Sequence, residues 1–75
     1  MTNKITKIYK LGRNIAKYRK ARGLSQNKLA EILDISREHL GNIEIGRKTP
    51  TIGLLCKIAI ALDVQEKDLF EFEMQ

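Results

Sequence analysis

Arg37, Glu38 and Asn42 bring three different hydrogen-bonding groups into a segment of six residues with helical periodicity. If Leu40 and Ile43 point inward, the helical phase turns Glu38 and Asn42 outward, and Arg37 lies in the first turn. A guanidinium can bond guanine bidentately, a carboxamide can do the same for adenine, and a carboxylate can accept from the cytosine amino group. A solvated helix face shows the same pattern. We predict contacts to base edges from Arg37, Glu38, Gly41 and Asn42.

The chain offers little for catalysis or for metal binding. It contains one cysteine, Cys56, and one histidine, His39, so it can form neither an internal disulfide nor a multi-cysteine metal site. We find no activated nucleophile, no pair of acids and no glycine-rich phosphate loop, and 75 residues leave little volume to enclose a substrate. We therefore expect no enzymatic activity, no catalytic residue, no cofactor and no metal, with Cys56 in the core.

Charge is distributed unevenly along the sequence. Residues 1–28 contain nine lysines or arginines and no acidic residue, whereas five acidic residues lie between Asp63 and Glu73. A basic surface of this kind suits a polyanion, although charge alone favours a solvated helix face. No signal peptide is evident, and the longest apolar run, residues 52–62, is too short for a bilayer. We expect a cytoplasmic protein with no membrane partner.

Apolar spacing and capping residues predict five helices that carry these groups. Leu11, Ile15 and Tyr18 recur at helical spacing, and Gly23 ends that helix. Ser25, Ser36 and Thr51 are the expected N-caps of later helices, because their hydroxyl groups can accept from first-turn N–H groups. The predicted helices span about residues 7–22, 26–33, 37–45, 52–62 and 65–70.

The second and third predicted helices are separated by only three residues, 34–36. Ala30 is small enough for the third helix to cross close above it, and Leu33, Leu40 and Ile43 supply apolar contacts at the crossing. This pattern is typical of a helix-turn-helix. Asp34 stands in the turn, where it tolerates a left-handed backbone better than most residues.

The chain resembles the lambda-repressor-like family, also called the Cro/C1 or XRE family, over about residues 11–70. The resemblance lies in Gly23-Leu24-Ser25-Gln26, Leu29-Ala30, Ser36-Arg37, Ile43-Glu44-x-Gly46-Arg47-x-x-Pro50, Leu54-Leu55-x-Lys57-Ile58-Ala59-x-Ala61-Leu62-x-Val64 and Leu69-Phe70. It implies one all-α domain over residues 1–75 with five helices, a helix-turn-helix pair at 26–45, duplex DNA as ligand and commonly a twofold dimer. It also implies that the third helix enters the major groove.

Other residues are expected to contact the DNA phosphates or to stabilise the protein scaffold. The resemblance makes Gln26 a phosphate contact at a helix beginning, where N–H groups and the dipole favour anions, and Ser36 does the same for the third helix. Family members pair a glutamate matching Glu44 with an arginine matching Arg19, which implies a partly buried structural ion pair. The predicted phosphate contacts are Gln26, Asn27, Ser36, His39, Arg47 and Lys48.

A homodimer is expected, because one half-site offers few base contacts. The residues left for its interface by the core and the groove are Val64, Leu69, Phe70, Phe72 and Met74. The tail alternates apolar and polar residues from Phe70 to Met74, which is the strand period. It suggests an optional two-stranded β element whose second strand would come from residues 4–8.

Sequence-specific transcriptional regulation is therefore the favoured function, with a pseudo-palindromic operator and repression as the expected sign. No small-molecule effector is evident. An antitoxin or anti-repressor, which uses the same fold to hold a protein partner, is the alternative. RNA binding is disfavoured, because the sequence displays no stacking aromatics.

Overall fold

The computed structural model describes residues 4–71, with side-chain surroundings from residue 7 onward, and residues 4–71 contain five α-helices and no strand. The helices are α1 (Lys4–Ala21), α2 (Gln26–Leu33), α3 (Arg37–Glu44), α4 (Ile52–Leu62) and α5 (Glu66–Leu69). The all-α prediction is confirmed. The suggested strand at residues 4–8 is wrong, because these residues begin α1 and adopt a helical rather than an extended backbone.

Three helices begin at the predicted capping residues. The hydroxyl groups of Ser25, Ser36 and Thr51 each accept a hydrogen bond from the backbone N–H three residues further on, at 3.0, 3.0 and 3.1 Å. Each cap satisfies an N–H that has no acceptor within its own helix, and each is worth about 1 kcal/mol. Local chemistry therefore sets where α2, α3 and α4 start.

The turn between α2 and α3 is built on a left-handed aspartate. Asp34 has φ 60° and ψ 44°, and its N–H donates to the Glu31 carbonyl at 3.1 Å, while the N–H of Ile35 donates to the Ala30 carbonyl at 3.0 Å. Few residues other than glycine adopt this conformation, and aspartate is among the tolerated ones. The prediction that Asp34 would keep the turn is confirmed.

A single apolar core lies between the helices, and every helix contributes to it. α1 and α3 pack against each other on one side, while α4 closes the core against α2 and α5. The buried apolar residues are Leu11, Ile15, Leu29, Ala30, Leu33, Leu40, Ile43, Leu55, Ile58, Ala59, Leu62 and Leu69. Because α3 turns Leu40 and Ile43 into this core, its exposed residues, Arg37, Glu38 and His39, lie on the opposite side.

α1 touches the backbone of α3 directly at Gly12. A Cβ at this position would lie 2.2 Å from the carbonyl oxygen of Ile43 and 2.7 Å from that of Glu44, both far inside van der Waals contact. A glycine is therefore required for the two helices to approach this closely. This contact sets the distance between α3 and α1.

Asn14 of α1 and Arg22, the residue that follows α1, bond the ends of α5 and α4. Asn14 Nδ2 donates to the carbonyl oxygens of Leu69 and Glu71 at 2.9 and 3.1 Å. Arg22 Nε donates to the Leu62 carbonyl at 2.7 Å, where α4 ends and its unpaired carbonyls carry partial negative charge. These bonds connect α4 and α5 to the helix that also supports α3.

Candidate nucleic-acid interface

The outer surface of α3 carries the residues predicted to contact bases. Leu40 and Ile43 are fully buried and anchor the opposite side of the helix, so the exposed side is a consequence of its apolar spacing. Arg37 and Glu38 are exposed, and Asn42 is half-buried. Gly41 lies beside Gln26, because a Cβ built on it would be 4.0 Å from the Gln26 amide nitrogen.

A groove of about 360 Å³ runs between α3 and the loop that follows it. Its lining combines predicted base contacts with predicted phosphate contacts: Ser36, Glu38, His39, Asn42 and Lys48. Residues distant in the sequence by up to twelve positions therefore meet on one surface. The groove combines a hydrogen-bond acceptor (Glu38), an amide (Asn42) and a cation (Lys48). These are the groups needed to contact base edges and the phosphate backbone of a nucleic acid.

The loop after α3 is tied to the helix through Asn42. The backbone N–H groups of Arg47 and Lys48 both donate to the Asn42 carbonyl, at 2.8 and 3.2 Å. Gly46 precedes them with φ 84°, and a Cβ there would lie 2.9 Å from Tyr9 Cα. The two exposed cations are thus held at a defined position beside α3, and their side chains remain in solvent.

The remaining predicted phosphate contacts lie at the beginnings of α2 and α3. Asn27 is exposed in the first turn of α2, and His39 is exposed in the first turn of α3. The hydroxyl oxygen of Ser36 accepts from the His39 N–H, but its proton is free to be donated outward. First-turn N–H groups of a helix point away from it and favour an anion.

Gln26 makes contacts that the sequence did not indicate. Its amide nitrogen donates to Glu44 Oε1 at 2.8 Å, and its amide oxygen accepts from Arg37 Nη1 at 3.1 Å. The signal available in the sequence was that Gln26 and Arg37 are each the first residue of their helix. A tight crossing brings these two helix beginnings together.

Arg19 and Glu44 form a buried ion pair between α1 and α3. Arg19 Nε donates to Glu44 Oε2 at 2.7 Å, and Nη2 donates to Oε1 at 3.1 Å. A third guanidinium nitrogen, Nη1, donates to the Leu24 carbonyl at 2.9 Å. Only 8% of Arg19 and 4% of Glu44 is exposed. This geometry makes the pair part of the scaffold that supports α3.

The residues predicted for a dimer interface separate into three groups. Leu69 is 0% exposed, so it is a core residue and its assignment to an interface is wrong. Val64 is half-buried and Phe70 is 48% exposed, so both are accessible. Phe72 and Met74 lie outside the described residues.

An apolar stripe on α4, formed by Ile52, Cys56 and Ile60, was not predicted. Ile52 and Ile60 are 81% and 78% exposed, and the spacing of four residues places all three side chains on one face. Cys56 is half-buried, not in the core as expected. A hydrogen bond with Glu66, partial burial and the Glu66 charge all raise the pKa of its thiol. Because Glu66 is the first residue of α5, the beginning of α5 lies beside the stripe.

Within residues 4–71, no group of histidine, cysteine, aspartate and glutamate side chains is arranged to hold a metal ion. In the same part of the chain, no helix combines the length and the apolar character needed to cross a membrane.

Comparison with known proteins finds a helix-turn-helix family and a helix-turn-helix relative. A profile of the helix-turn-helix family HTH_3 matches residues 15–69. SlrR of Bacillus subtilis strain 168, named an HTH-type transcriptional regulator, is 39% identical over 64 residues, which cover 84% of this chain and 42% of SlrR. The chain thus spans less than half the length of that relative.

Two solved structures are similar over most of this chain. The restriction-modification controller protein C.AhdI from Aeromonas hydrophila superposes with a TM-score of 0.83 at 32% identity, covering 87% of this chain and 98% of C.AhdI. SinR, described as the master regulator for biofilm formation and solved in complex with DNA, superposes with a TM-score of 0.76 at 35% identity. That match covers 81% of this chain and 98% of the SinR chain.

Proposed function

Because this chain belongs to the HTH_3 helix-turn-helix family of XRE, or Cro/C1, type, we propose that it recognises a specific duplex DNA sequence through α3. The family consists of DNA-binding transcriptional regulators, which are not enzymes. In this proposal α3 lies in the major groove and reads a pseudo-palindromic operator, and the protein acts on the nucleoid in the cytoplasm.

The observation that carries the proposal is the composition of the exposed α3 surface. Arg37 can bond the two acceptors of a guanine, Asn42 can bond an adenine, and Glu38 can accept from a cytosine amino group. These groups project from a helix held by two buried side chains and a buried ion pair, so the backbone that carries them is in place before any DNA is bound. Preorganised groups lose less conformational entropy on binding.

Phosphate contacts are proposed on either side of this surface. Arg47 and Lys48 follow α3 in a loop whose backbone is bonded to Asn42, and Ser36 and Gln26 stand at helix beginnings. Cations and helix N-termini bind phosphate without reading sequence. They would set the depth and orientation of α3 in the groove.

We propose a homodimer whose interface includes Phe70, Val64 and the apolar stripe on α4. Two recognition helices about 34 Å apart would enter successive major grooves on one face of the duplex. Exposed apolar residues that share one face of a helix, as Ile52 and Ile60 do, are typical of an interface. Ile60→Glu is expected to dissociate the dimer in sedimentation experiments, whereas Ile32→Glu, which alters an exposed isoleucine of α2, should leave it intact.

Repression is the favoured sign of regulation on physical grounds. A protein that occupies a promoter excludes other proteins simply by binding, whereas activation requires an additional productive contact with the polymerase. The alternative function, an antitoxin or anti-repressor that holds a protein partner, draws support from the exposed stripe on α4, because that stripe would equally suit a protein surface.

Selection of bound duplexes from a random pool, followed by mobility-shift titrations, tests the proposal. Arg37→Ala should cost about 1–3 kcal/mol at one base position and relax the preference there. Arg13→Ala removes the same charge from the exposed side of α1 and should change all duplexes alike. If the wild-type protein selects no sequence and binds duplexes without preference, sequence-specific regulation is excluded and the protein-partner alternative gains support.

A further inference from the structure

Tyr9 and Arg13 form a bonded pair on the exposed surface of α1. Arg13 Nη1 donates to the Tyr9 hydroxyl oxygen at 2.8 Å, and the central carbon of the guanidinium lies 5.6 Å from the centre of the Tyr9 ring. Arg13 is exposed, and so is 46% of Tyr9. Both residues precede the segment 15–69 that matches the family profile. The pair therefore lies outside the part of the chain on which the family assignment rests.

This pair lies beside the loop that follows α3. The backbone of Tyr9 packs against Gly46, because a Cβ on Gly46 would be 2.9 Å from Tyr9 Cα and 3.3 Å from Tyr9 Cβ. Gly46 is followed directly by Arg47 and Lys48, the exposed cations proposed above to contact phosphate. The edge of α1 that carries Tyr9 is therefore adjacent to the proposed phosphate-binding loop.

Helical periodicity gives this part of α1 two distinct exposed sides. Tyr9 precedes Gly12 by three residues, so it lies on the side of α1 that contacts α3. Arg13 comes four residues after Tyr9 and lies next to it on the same edge. Lys7 is exposed as well, but a separation of two residues turns it about 160° away from Tyr9.

The pair offers hydrogen-bond donors and a positive charge. Because the Tyr9 oxygen accepts from Arg13, its own proton can be donated to an acceptor outside the protein. Arg13 uses one of its five guanidinium N–H groups in this bond, which leaves the others for a ligand. α1 contains no acidic residue, and within residues 7–71 no ion pair includes Arg13. A cation and a hydroxyl donor in this arrangement suit a phosphate oxygen.

We propose that Tyr9 and Arg13 together bind a backbone phosphate of the DNA, next to the phosphate proposed for Arg47. This inference rests on the proposed function, because it requires α3 and its loop to lie on a duplex. The phenol restricts the rotamers of the guanidinium before binding, so less conformational entropy is lost when the phosphate is bound. A pair that only stabilises α1, as residues four apart on a helix can, would have no effect on DNA contacts.

The test measures phosphate ethylation interference and salt dependence on the duplex that the wild-type protein selects. Arg13→Ala should abolish interference at one phosphate where Arg47→Ala retains it, and should lower the slope of log K against log salt by about one. Tyr9→Phe keeps the ring and removes the hydroxyl group. It should weaken binding about twofold to tenfold, which corresponds to one hydrogen bond, with nearly the same slope because no charge is lost. Both variants should keep the base preference, since phosphate contacts carry no sequence information.

Lys7→Ala is the matched control, because it removes one exposed positive charge from the same end of α1 but from the other side. It should keep the interference pattern and the salt slope of the wild-type protein. The pattern compares phosphates within one preparation of protein, so a reduced folded fraction cannot imitate the loss of a single position.

Two outcomes would overturn the inference. If Arg13→Ala and Tyr9→Phe keep the interference pattern and the affinity of the wild-type protein, the pair serves α1 alone. If Lys7→Ala lowers the salt slope as much as Arg13→Ala and neither changes the pattern, the DNA responds only to the overall charge of α1. Failure of the proposed function looks different, because the wild-type protein would then select no duplex, and the inference falls with it.

Discussion

Removal of the Glu44 carboxylate is the most informative perturbation of the scaffold beneath α3. In Glu44→Ala the guanidinium of Arg19, a residue only 8% exposed, loses both carboxylate bonds and keeps only its bond to the Leu24 carbonyl. Gln26 also loses the acceptor for its amide nitrogen. The variant thus leaves a buried positive charge without a counter-ion, which is far more costly than the loss of an exposed pair.

The expected magnitude can be compared with the total stability of the domain. Breaking a buried ion pair by removing one partner costs about 3–5 kcal/mol. A chain of 75 residues has an unfolding free energy of about 4–11 kcal/mol at typical values per residue. Glu44→Ala should therefore remove a large part of the stability, and a marginally stable domain would unfold at room temperature.

The assay is urea or thermal unfolding followed by circular dichroism in the absence of DNA. Glu38→Ala removes an exposed glutamate from the same helix and should change the unfolding free energy by no more than about 0.5 kcal/mol. The double variant Arg19→Met/Glu44→Leu replaces the pair by apolar side chains and should be more stable than Glu44→Ala. If Glu44→Ala matches Glu38→Ala, or if the double variant is the least stable, the role assigned to the ion pair is refuted.

Three further outcomes are expected. Gly12→Ala should lower the unfolding free energy by about 3 kcal/mol or more in thermal unfolding, because its Cβ would collide with carbonyl oxygens of α3. Gly53→Ala is the control, because a Cβ there would have nothing within 4 Å, and it should be neutral or stabilising. Arg47→Ala should reduce the slope of log K against log salt by about one in DNA titrations, and an unchanged slope would show that it binds no phosphate. Because Glu66 raises the pKa of the Cys56 thiol, Glu66→Gln should lower that pKa and speed alkylation at about pH 8, whereas an equal rate would exclude the Glu66 contact.

Much of the fold is predictable from the sequence because its signals act over a few residues. Ser25, Ser36 and Thr51 each cap a helix by bonding an N–H only three positions away, and Asp34 adopts its left-handed conformation within the turn itself. The period of the buried leucines and isoleucines then determines which side of each helix faces inward. The exposed side of α3, with Arg37 among its residues, follows from that period as well.

Local signals fail where two elements compete for the same residues. The alternation at the chain end suggested a strand and a partner at residues 4–8, but residues 4–8 begin α1. Leu69 looked available for a dimer because the sequence does not state how tightly a helix of four residues packs. In the structure α5 is held to α1 by Asn14, and this contact places Leu69 in the core.

The sequence by itself determined the helices, their caps, the tight turn between α2 and α3, and the identity of the groups that α3 exposes. Only the tertiary structure decided that Gln26 joins Glu44 to Arg37, and that α4 leaves Ile52 and Ile60 uncovered. The reason is physical. Caps and periodicity depend on neighbours along the chain, whereas the partner of a long side chain depends on how closely two helices cross. Between α1 and α3, that close approach requires the missing Cβ at Gly12.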